Sequence, residues 1–396
     1  MELTLLDLAI FGAFLVAVVL VGLLKSREEK DSEAYFLAGR GLSWWLIGFS
    51  LIAANISAEQ FVGMSGQAAK GNVGLAIASY EWIAAITLVA VAFFFLPKFL
   101  RSGIYTIPEY LEYRYNHAAR TLMSLLMVAM LATVNITTVT YLGAKALVPL
   151  FSTQTVFGRP VDLEMLCWVV GVSAAIYVAA GGLKACAWAD LLQGTALIAG
   201  GAVVMVLAFL ALDQPERFGL DPAAVGLDGQ LAAAPVIEKF HALNGDKMHM
   251  VLPADNPALP WTALVLGIWI PNFYYWGLNQ YITQRTLGSA SLAQGQKGIV
   301  FAAFMKLLIP FVIVIPGIIA FNLFAKNMQF EAVYDNAPVI SKYYKANPQT
   351  QIVEVVDSPS EEAIAAWPQG RFMVALFDNE QTIKALKTKN MFVLPK

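Results

Sequence analysis

The chain has 396 residues, of which 58% are hydrophobic and 14% are charged. Soluble globular chains are about 45–50% apolar and about 25% charged, so this composition indicates a membrane protein. The formal net charge of −2 gives no electrostatic basis for nucleic-acid binding, and we expect no nucleic-acid partner. The sequence contains no recognisable metal cluster or nucleophile–base pair, so we expect no enzyme activity.

Eight apolar segments are long enough to cross the hydrocarbon core of a bilayer, which takes roughly 20 residues of helix. They lie at about 5–24, 43–66, 74–97, 121–150, 163–180, 188–212, 259–280 and 298–324. We interpret the first as a retained span because its start, MELT, is acidic, unlike the basic start of a signal peptide. The sequence thus predicts an all-α, multi-pass protein of the lipid bilayer.

Basic residues set the predicted orientation. With the N-terminus outside, the predicted cytoplasmic loops are 25–42, 98–120, 181–187 and 281–297, and they hold most lysines and arginines between the spans. The short outer loops hold only Lys70 and Arg159. The positive-inside rule therefore favours an N-terminus outside the cytoplasm.

Two long segments fall outside the predicted spans. Residues 213–258 form an outer loop, and residues 325–396 a polar outer segment. Within the latter, QIVEVV and RFMVALF have the pattern of strands and NEQTIKALKTK that of a short helix. We expect a small α/β element there; a disordered tail is the alternative.

Several charged residues lie inside predicted spans. A charge at the bilayer centre costs about 2.5–3.5 kcal/mol on insertion scales, so such residues usually face a partner or a cavity. Glu81 and Lys306 lie deepest, and we expect them to be paired or functional. Asp190 lies near the inner end of its span, where a solvated end charge is the alternative. The sequence suggests no role for Glu59.

The second predicted span contains SLIAANISAEQFVGMSG, which is unusually polar for a membrane helix. Helical spacing predicts one shared face for Ala53, Ile56, Gln60 and Met64. The seventh span, GIWIPNFYYWGLNQ, holds Pro271, which should kink or break the helix and free the carbonyl of Gly267. Four residues there share a face at helical spacing: Asn272, Tyr275, Trp276 and Asn279.

The two interrupted, polar spans are five spans apart. Interrupted segments at corresponding positions of two halves are typical of inverted-repeat secondary transporters, where unwound backbone binds a cation. The alternative is that the amides are only interhelical contacts, worth about 0.6–2 kcal/mol each. That alternative explains one or two of these residues more easily than the whole set.

Longer stretches resemble a known family. They are YFLAGRGLSWWLIGFSLIAANISAEQFVGMSG, ASYEWIAA, GIYTIPEYLEYRY, YVAAGGLKACAWADLLQ and PNFYYWGLNQYITQRTL. Over residues 6–324 the chain resembles the sodium/solute symporter family, and within it the bacterial sodium/glucose and galactose cotransporters. The resemblance implies a LeuT-like fold, in which one extra span precedes two inverted five-helix repeats.

The family organisation implies the following divisions of the chain. They are 1–24 (extra N-terminal helix), 25–212 (first repeat with its preceding loop), 213–258 (outer loop), 259–324 (start of the second repeat) and 325–396 (outer polar segment). The second repeat then has two of its five helices, and no serine-rich SS.AS..NS-like stretch completes a sodium site. We expect a fragment of a longer protein, or a truncated product that cannot couple transport.

The resemblance also implies a protein of the plasma (inner) membrane that binds a sugar and a sodium ion. The implied sugar contacts are Gln60, Glu81, Asn135, Asn272 and Lys306. The implied inner gate is Tyr275, with Asn55 as its partner, and the implied outer gate is Met64 with Tyr80. Trp276 is a further implied gate residue. Sodium would bind the backbone carbonyls of Ala53 and Ile56, with Asp190 near its path.

For the complete protein, these features and the resemblance predict sodium-driven uptake of a glucose- or galactose-like sugar by alternating access. Ala84 stands where related galactose carriers have a serine, which leaves the hexose open. One alternative keeps the fold and changes the solute, to inositol, an amino acid or a vitamin. Another is a product that binds solute without transporting it.

Overall fold

The chain is mainly helical. The computed structural model describes residues 4–26, 31–69, 73–151, 154–156, 158–335, 342, 345–346, 348, 352–368, 371–377 and 391–395. The contacts within the chain divide it into two compact units. The first is Met1–Ser65, Ala78–Val204 and Ala263–Ile313, and the second is Gly66–Ile77, Met205–Thr262 and Val314–Lys396.

The α-helices up to residue 151 are α1 (Leu5–Ser26), α2 (Ser32–Leu37), α3 (Trp44–Asn55), α4 (Ser65–Ala69), α5 (Ser79–Ala90), α6 (Leu96–Ser102), α7 (Ile107–Arg114), α8 (His117–Met130) and α9 (Ile136–Phe151). Further along are α10 (Leu163–Asp213), α11 (Pro222–Val225), α12 (Gly229–Ala232), α13 (Val236–Asn244), α14 (Trp269–Gly277), α15 (Gln280–Leu287) and α16 (Leu292–Asp335). Segments of π-helix occupy Glu59–Met64, Val91–Phe95, Leu131–Asn135 and Ala263–Gly267. Short 3₁₀ turns occupy Ala38–Arg40, Gly74–Ala78, Pro215–Phe218 and Gly245–Met248.

Most predicted spans are present as long apolar helices. Among the described residues, five helices are long and apolar enough to cross a membrane: Leu6–Lys25, Gly74–Ser102, His117–Phe151, Gly181–Asp213 and Leu292–Ala325. A sixth span is a pair, Trp44–Asn55 and Glu59–Ala69, bent by 53° at its break. The predicted fifth span is a shorter apolar helix, Leu163–Ile176. The predicted seventh is divided between a π segment and α14.

The connection between the fifth and sixth predicted spans is tighter than expected. The predicted loop 181–187 is wrong, because helical residues continue on both sides of a single kink at Gly182. Gly182 has φ 56° and ψ −158°, a backbone conformation that is almost restricted to glycine. One glycine therefore makes the turn for which hydrophobicity alone suggested a seven-residue loop.

Within the first unit, α3 and α16 pack at unusually short range. A β-carbon added to Gly298 would lie 2.8 Å from the Ile47 β-carbon and 2.8 Å from the Trp44 carbonyl oxygen. A β-carbon added to Gly48 would collide with the Phe301 ring. Small residues permit such close approach between membrane helices, where packing replaces the hydrophobic effect as the main attraction. These two glycines thus fix the distance between α3 and α16.

Other helices of the first unit have exposed apolar side chains. Leu6, Trp168, Leu266 and Ile270 are each about two-thirds or more exposed, at 67, 68, 73 and 74%. Large exposed apolar patches mark interaction surfaces, and lipid tails are the natural neighbours of side chains on membrane-spanning helices. These exposed apolar side chains therefore agree with the conclusion from the composition that this is a membrane protein.

In the second unit, the predicted outer loop 213–258 is largely short helices. The Lys239 side chain is buried, where its Nζ donates to the Asp213 carbonyl at 2.8 Å and pairs with the Asp213 carboxylate at 3.0 Å. Asn244 Nδ2 donates to Asn322 Oδ1 at 2.8 Å. These contacts attach α13 to residues of α10 and α16.

The second unit also holds a three-stranded parallel sheet in the order β3–β4–β5, with β3 at Ile352–Asp357, β4 at Arg371–Phe377 and β5 at Met391–Pro395. A helix at Glu361–Ala365 connects the first two strands, and Met373 and Ala375 form their buried core. The strands β3 and β4 coincide with QIVEVV and RFMVALF, whereas the predicted helix NEQTIKALKTK lies outside the described residues. A separate two-stranded hairpin pairs β1 (Thr155–Val156) with β2 (Arg159–Pro160).

The close packing of α3 on α16 predicts opposite effects for two Gly→Ala substitutions. Gly298→Ala should lower the unfolding temperature in detergent, because overpacking costs about 1–3 kcal/mol. Gly200→Ala is the matched control, since nothing lies within 4 Å of its added β-carbon, and alanine should stabilise the helix by about 0.5–1 kcal/mol. Equal unfolding temperatures for the two variants would contradict the packing argument.

Candidate functional site

The break after α3 changes the hydrogen bonds of its last turn. Ser57 N, which would donate to the Ala53 carbonyl in a continuous helix, donates instead to Gln60 Oε1 at 2.9 Å. Gln60 N, which would donate to the Ile56 carbonyl, donates to the Ser57 carbonyl at 3.1 Å. The two carbonyls predicted to bind sodium have therefore lost their usual helical donors, as a backbone cation site requires.

The same break corrects one sequence expectation. Helix α3 ends at Asn55, and Ile56 has extended backbone with ψ 104°. The spacing that predicted a single face for Ala53, Ile56, Gln60 and Met64 assumed an uninterrupted helix. The bend separates the first part of that face from the second, so these residues share a broken segment and not one helical stripe.

A buried ion pair lies beside this break. Lys306 on α16 pairs with Glu81 on α5, and their side chains are only 1% and 5% exposed. Lys306 Nζ also contacts Asn55 Oδ1 and lies 4.9 Å from the centre of the Trp276 ring. A buried charge without a partner is strongly unfavourable, and here each charge meets the other. Of the two roles expected for Glu81 and Lys306, paired or functional, the structure shows the pairing.

The interrupted seventh span supplies the aromatic side chains that contact Lys306 and Asn55. Its break lies at Ile268, just before α14, so Pro271 occupies the first turn, where its missing N–H has no helical acceptor to lose. Asn55 Nδ2 donates to the Tyr275 hydroxyl at 3.2 Å. The Tyr281 hydroxyl donates to the same oxygen at 2.6 Å. Tyr275 is thus held from two sides.

A second buried ion pair joins α10 to α15. Asp190 on α10 accepts from Arg285 Nη2 at 3.0 Å, with side chains 11% exposed on both residues. Ser50 Oγ donates to Asp190 at 2.5 Å and accepts from Arg285 Nε at 2.8 Å. Arg285 also donates to the Tyr281 carbonyl. Asp190 is therefore a buried, paired acid, and the alternative of a solvated end charge is wrong.

These contacts connect eight residues of the first unit in a continuous series, the polar chain. In order, it contains Glu81, Lys306, Asn55, Tyr275, Tyr281, Arg285, Asp190 and Ser50. Sequence reasoning missed Ser50, Tyr281 and Arg285 as members. Arg285 was counted only as a cytoplasmic charge, although its i, i+4 spacing from Tyr281 was a usable signal.

The remaining predicted residues lie in several different environments. Gln60 is buried and Asn272 is buried, but the amide of Asn272 donates to its own helix, at the Ile268 carbonyl. Asn135 is half-buried and directly precedes α9, which packs against the π segment Glu59–Met64. Met64 packs on the core, and Tyr80 is 40% exposed. The structure therefore joins Glu81 to Lys306 directly and leaves the others as predicted contacts.

Comparison with known proteins matches this architecture to one family. The model of the sodium:solute symporter family matches residues 35–350. The chain belongs to the sodium:solute symporter family.

Relatives within the symporter family include several sugar and polyol carriers. The chain is 42% identical to the sodium/glucose cotransporter of Vibrio parahaemolyticus, over 81% of the chain and 56% of that protein. It is 36% identical to the uncharacterized symporter YidK of Escherichia coli, over 78% and 51%. It is 31% identical to the mouse sodium/myo-inositol cotransporter 2, over 80% and 46%. The chain thus spans about half the length of the curated relatives it matches.

A solved symporter structure has the same fold. It is a sodium-coupled sialic acid symporter in a substrate-bound outward-open state, with a TM-score of 0.66 and 24% sequence identity. The superposition covers 82% of this chain and 62% of that one. The LeuT-like helical architecture implied by the sequence is therefore confirmed for this member of the symporter family.

The buried Glu81–Lys306 pair predicts a non-additive stability effect. Lys306→Met should lower the free energy of unfolding by about 3–5 kcal/mol, because it leaves Glu81 buried without a cation. The double variant Glu81→Gln, Lys306→Met should cost less than the two single variants added together. Lys145→Met, at an exposed lysine of α9, is the control. Simple additivity, measured by unfolding in detergent, would contradict the pairing.

The Asp190–Arg285 pair predicts stronger coupling than a surface pair. A double-mutant cycle with Asp190→Asn and Arg285→Gln should give an interaction energy of about 0.5–3 kcal/mol. The matched cycle is Glu112→Gln with Arg120→Gln, an ion pair whose side chains are 35% and 42% exposed, where solvent screening keeps the coupling small. A larger energy for the surface pair would argue against the buried network.

Proposed function

We propose that this symporter-family protein carries a neutral sugar together with sodium by alternating access. The observation that supports this most directly is the break after α3. Asn55, at the end of α3, contacts Lys306 of the buried pair, and the carbonyls of Ala53 and Ile56 beside it have lost their helical donors. An ion site and a polar solute site are thus built from the same few residues.

The side chains suit a pyranose. Its hydroxyls can donate to the Glu81 carboxylate and accept from Lys306, because both groups have hydrogen-bonding capacity beyond their mutual contact. The amides of Gln60, Asn135 and Asn272 would bind the remaining hydroxyls around the pyranose ring. The ring of Tyr275 would cover one face of the sugar. A site of this kind rejects analogues that lack a hydroxyl, since its buried polar groups would then be unpaired.

Sodium is the proposed co-transported ion. The carbonyl oxygens of Ala53 and Ile56 are hard ligands of the type that unwound membrane helices offer to sodium. Asp190 lies within hydrogen-bonding reach of Ser50, one turn before Ala53 on α3. Its charge is shared with Arg285, so we assign it to the ion path and not to the direct ligand set.

The gates follow from the same contacts. Tyr275, held by Asn55 and Tyr281, would block the inner exit together with Trp276, while Met64 and Tyr80 would cover the outer entrance. Inward movement of one sodium at 100 mV releases about 2.3 kcal/mol, and a tenfold sodium gradient adds about 1.4 kcal/mol. One ion per sugar could then sustain roughly a few-hundredfold accumulation across the proposed location, the plasma membrane.

A second candidate solute is a cyclic polyol such as inositol. The relative from mouse named as a sodium/myo-inositol cotransporter favours it, and Ala84 removes a hydroxyl that galactose carriers would supply. Inositol offers the same rim of hydroxyls without a ring oxygen. Competition by glucose, galactose and myo-inositol separates these solutes.

The function is tested by uptake into liposomes containing the product of the complete reading frame. Uptake of labelled glucose or galactose should depend on an inward sodium gradient and vanish when potassium replaces sodium. Gln60→Ala and Lys306→Ala should each reduce uptake at least tenfold while the protein still inserts. Sodium-independent uptake, or unchanged uptake in both variants, would overturn the proposal.

A further inference from the structure

The first unit has a concave apolar groove that is lined by none of the residues of the polar chain. It has a volume of about 600 Å³, and its walls come from Trp44 on α3, Phe93 after α5, and Val300, Phe301 and Phe304 on α16. Phe93 and Phe304 are 54% and 56% exposed. The groove therefore opens outward from helices that cross the bilayer, so its natural contents are acyl chains.

The groove is long enough to reach from the headgroup region into one leaflet. It runs along α16 from Ala293 to Phe304, which at 1.5 Å per residue is about 16 Å, compared with about 15 Å for half of a hydrocarbon core. Its first residues, Ala293 to Lys297, belong to the predicted cytoplasmic loop 281–297, so that end of the groove lies at the cytoplasmic interface. The other end, at Phe304, lies within the predicted span 298–324 and therefore in the cytoplasmic leaflet.

Only one end of the groove is polar. Gln296 and Lys297 lie there, among lining residues that are otherwise apolar. Gln296 Nε2 donates to the Ala92 carbonyl at 3.2 Å, which fixes that side chain between α16 and the end of α5. Lys297 is exposed and lies one residue along. An apolar groove with a single cation at its interfacial end is complementary to a lipid whose headgroup is an anion.

The floor of the groove is rigid. Gly298 lets α16 approach α3 closely, and the Phe301 ring packs edge-on against Trp44 with ring centres 5.6 Å apart. Tryptophan is common at the membrane–water interface, where its ring can meet both environments. The groove is thus a shaped feature of the helix packing and not a gap between loosely placed side chains.

We propose that this groove binds one anionic phospholipid of the cytoplasmic leaflet. An acyl chain lies along Val300, Phe301 and Phe304, and the phosphate group contacts Lys297. A lysine close to a negatively charged membrane surface contributes about 1 kcal/mol, which corresponds to roughly a fivefold preference for an anionic over a zwitterionic headgroup. The site is independent of which solute the symporter carries.

The test is native mass spectrometry of the purified chain, incubated with phosphatidylglycerol and phosphatidylcholine of identical acyl chains. The wild type should retain one phosphatidylglycerol about fivefold more strongly than phosphatidylcholine. Lys297→Gln should make the two lipids equal, whereas Lys145→Gln, at an exposed lysine of α9, should leave the preference intact. Equal retention of both lipids by the wild type would overturn the proposal.

A second pair of variants tests the apolar part. Ala293→Trp fills the groove and should abolish retention of the tightly held lipid, whereas Ala129→Trp, at an exposed alanine of α8, should not. If Ala293→Trp retains the lipid, the groove is not the site. If instead it converts a dimer into a monomer while lipid retention is unchanged, the groove is an interface between copies and the proposal is wrong.

Discussion

The pairing of Glu81 with Lys306 is the contact on which the polar chain of the first unit depends. Neither charge is stable alone at membrane depth, so α5 and α16 must meet at these two residues. Once Lys306 is fixed, its contact with Asn55 places the end of α3 beside it. The break after Asn55 and the aromatic residues of α14 are then arranged around a single buried cation, which also faces the Trp276 ring.

The same constraint links the two proposed sites. Asn55 contacts Lys306 through its oxygen and Tyr275 through its nitrogen. A solute that competes for Lys306 therefore acts on the residue that holds the proposed inner gate, and on the segment whose carbonyls are proposed to bind sodium. Linkage between two ligands requires that each favours the same arrangement, and a shared amide side chain is a direct physical route to it.

Close packing at small residues also determines the shape of the apolar outer surface of the first unit. The close approach of α3 and α16 at Gly298 leaves bulky aromatic rings to be accommodated at the edges of the contact. Those rings line a groove on the lipid side, while the polar chain occupies the interior. One close helix crossing therefore contributes both to the packing of the first unit and to the shape of its apolar outer surface.

The sequence by itself located the five long apolar helices and the bent pair, because burial in lipid requires long apolar runs and internally satisfied backbone. It also located the interrupted second and seventh spans, since proline and clustered amides are costly there, and two strands of the α/β element by their local pattern. It predicted too long a loop at Gly182 because hydrophobicity does not report a backbone angle. Only the tertiary structure decided the partners: Lys306 meets Asn55 across 251 residues and Arg285 meets Asp190 across 95. A single sequence reports how costly a buried charge is, but its partner depends on how distant helices pack.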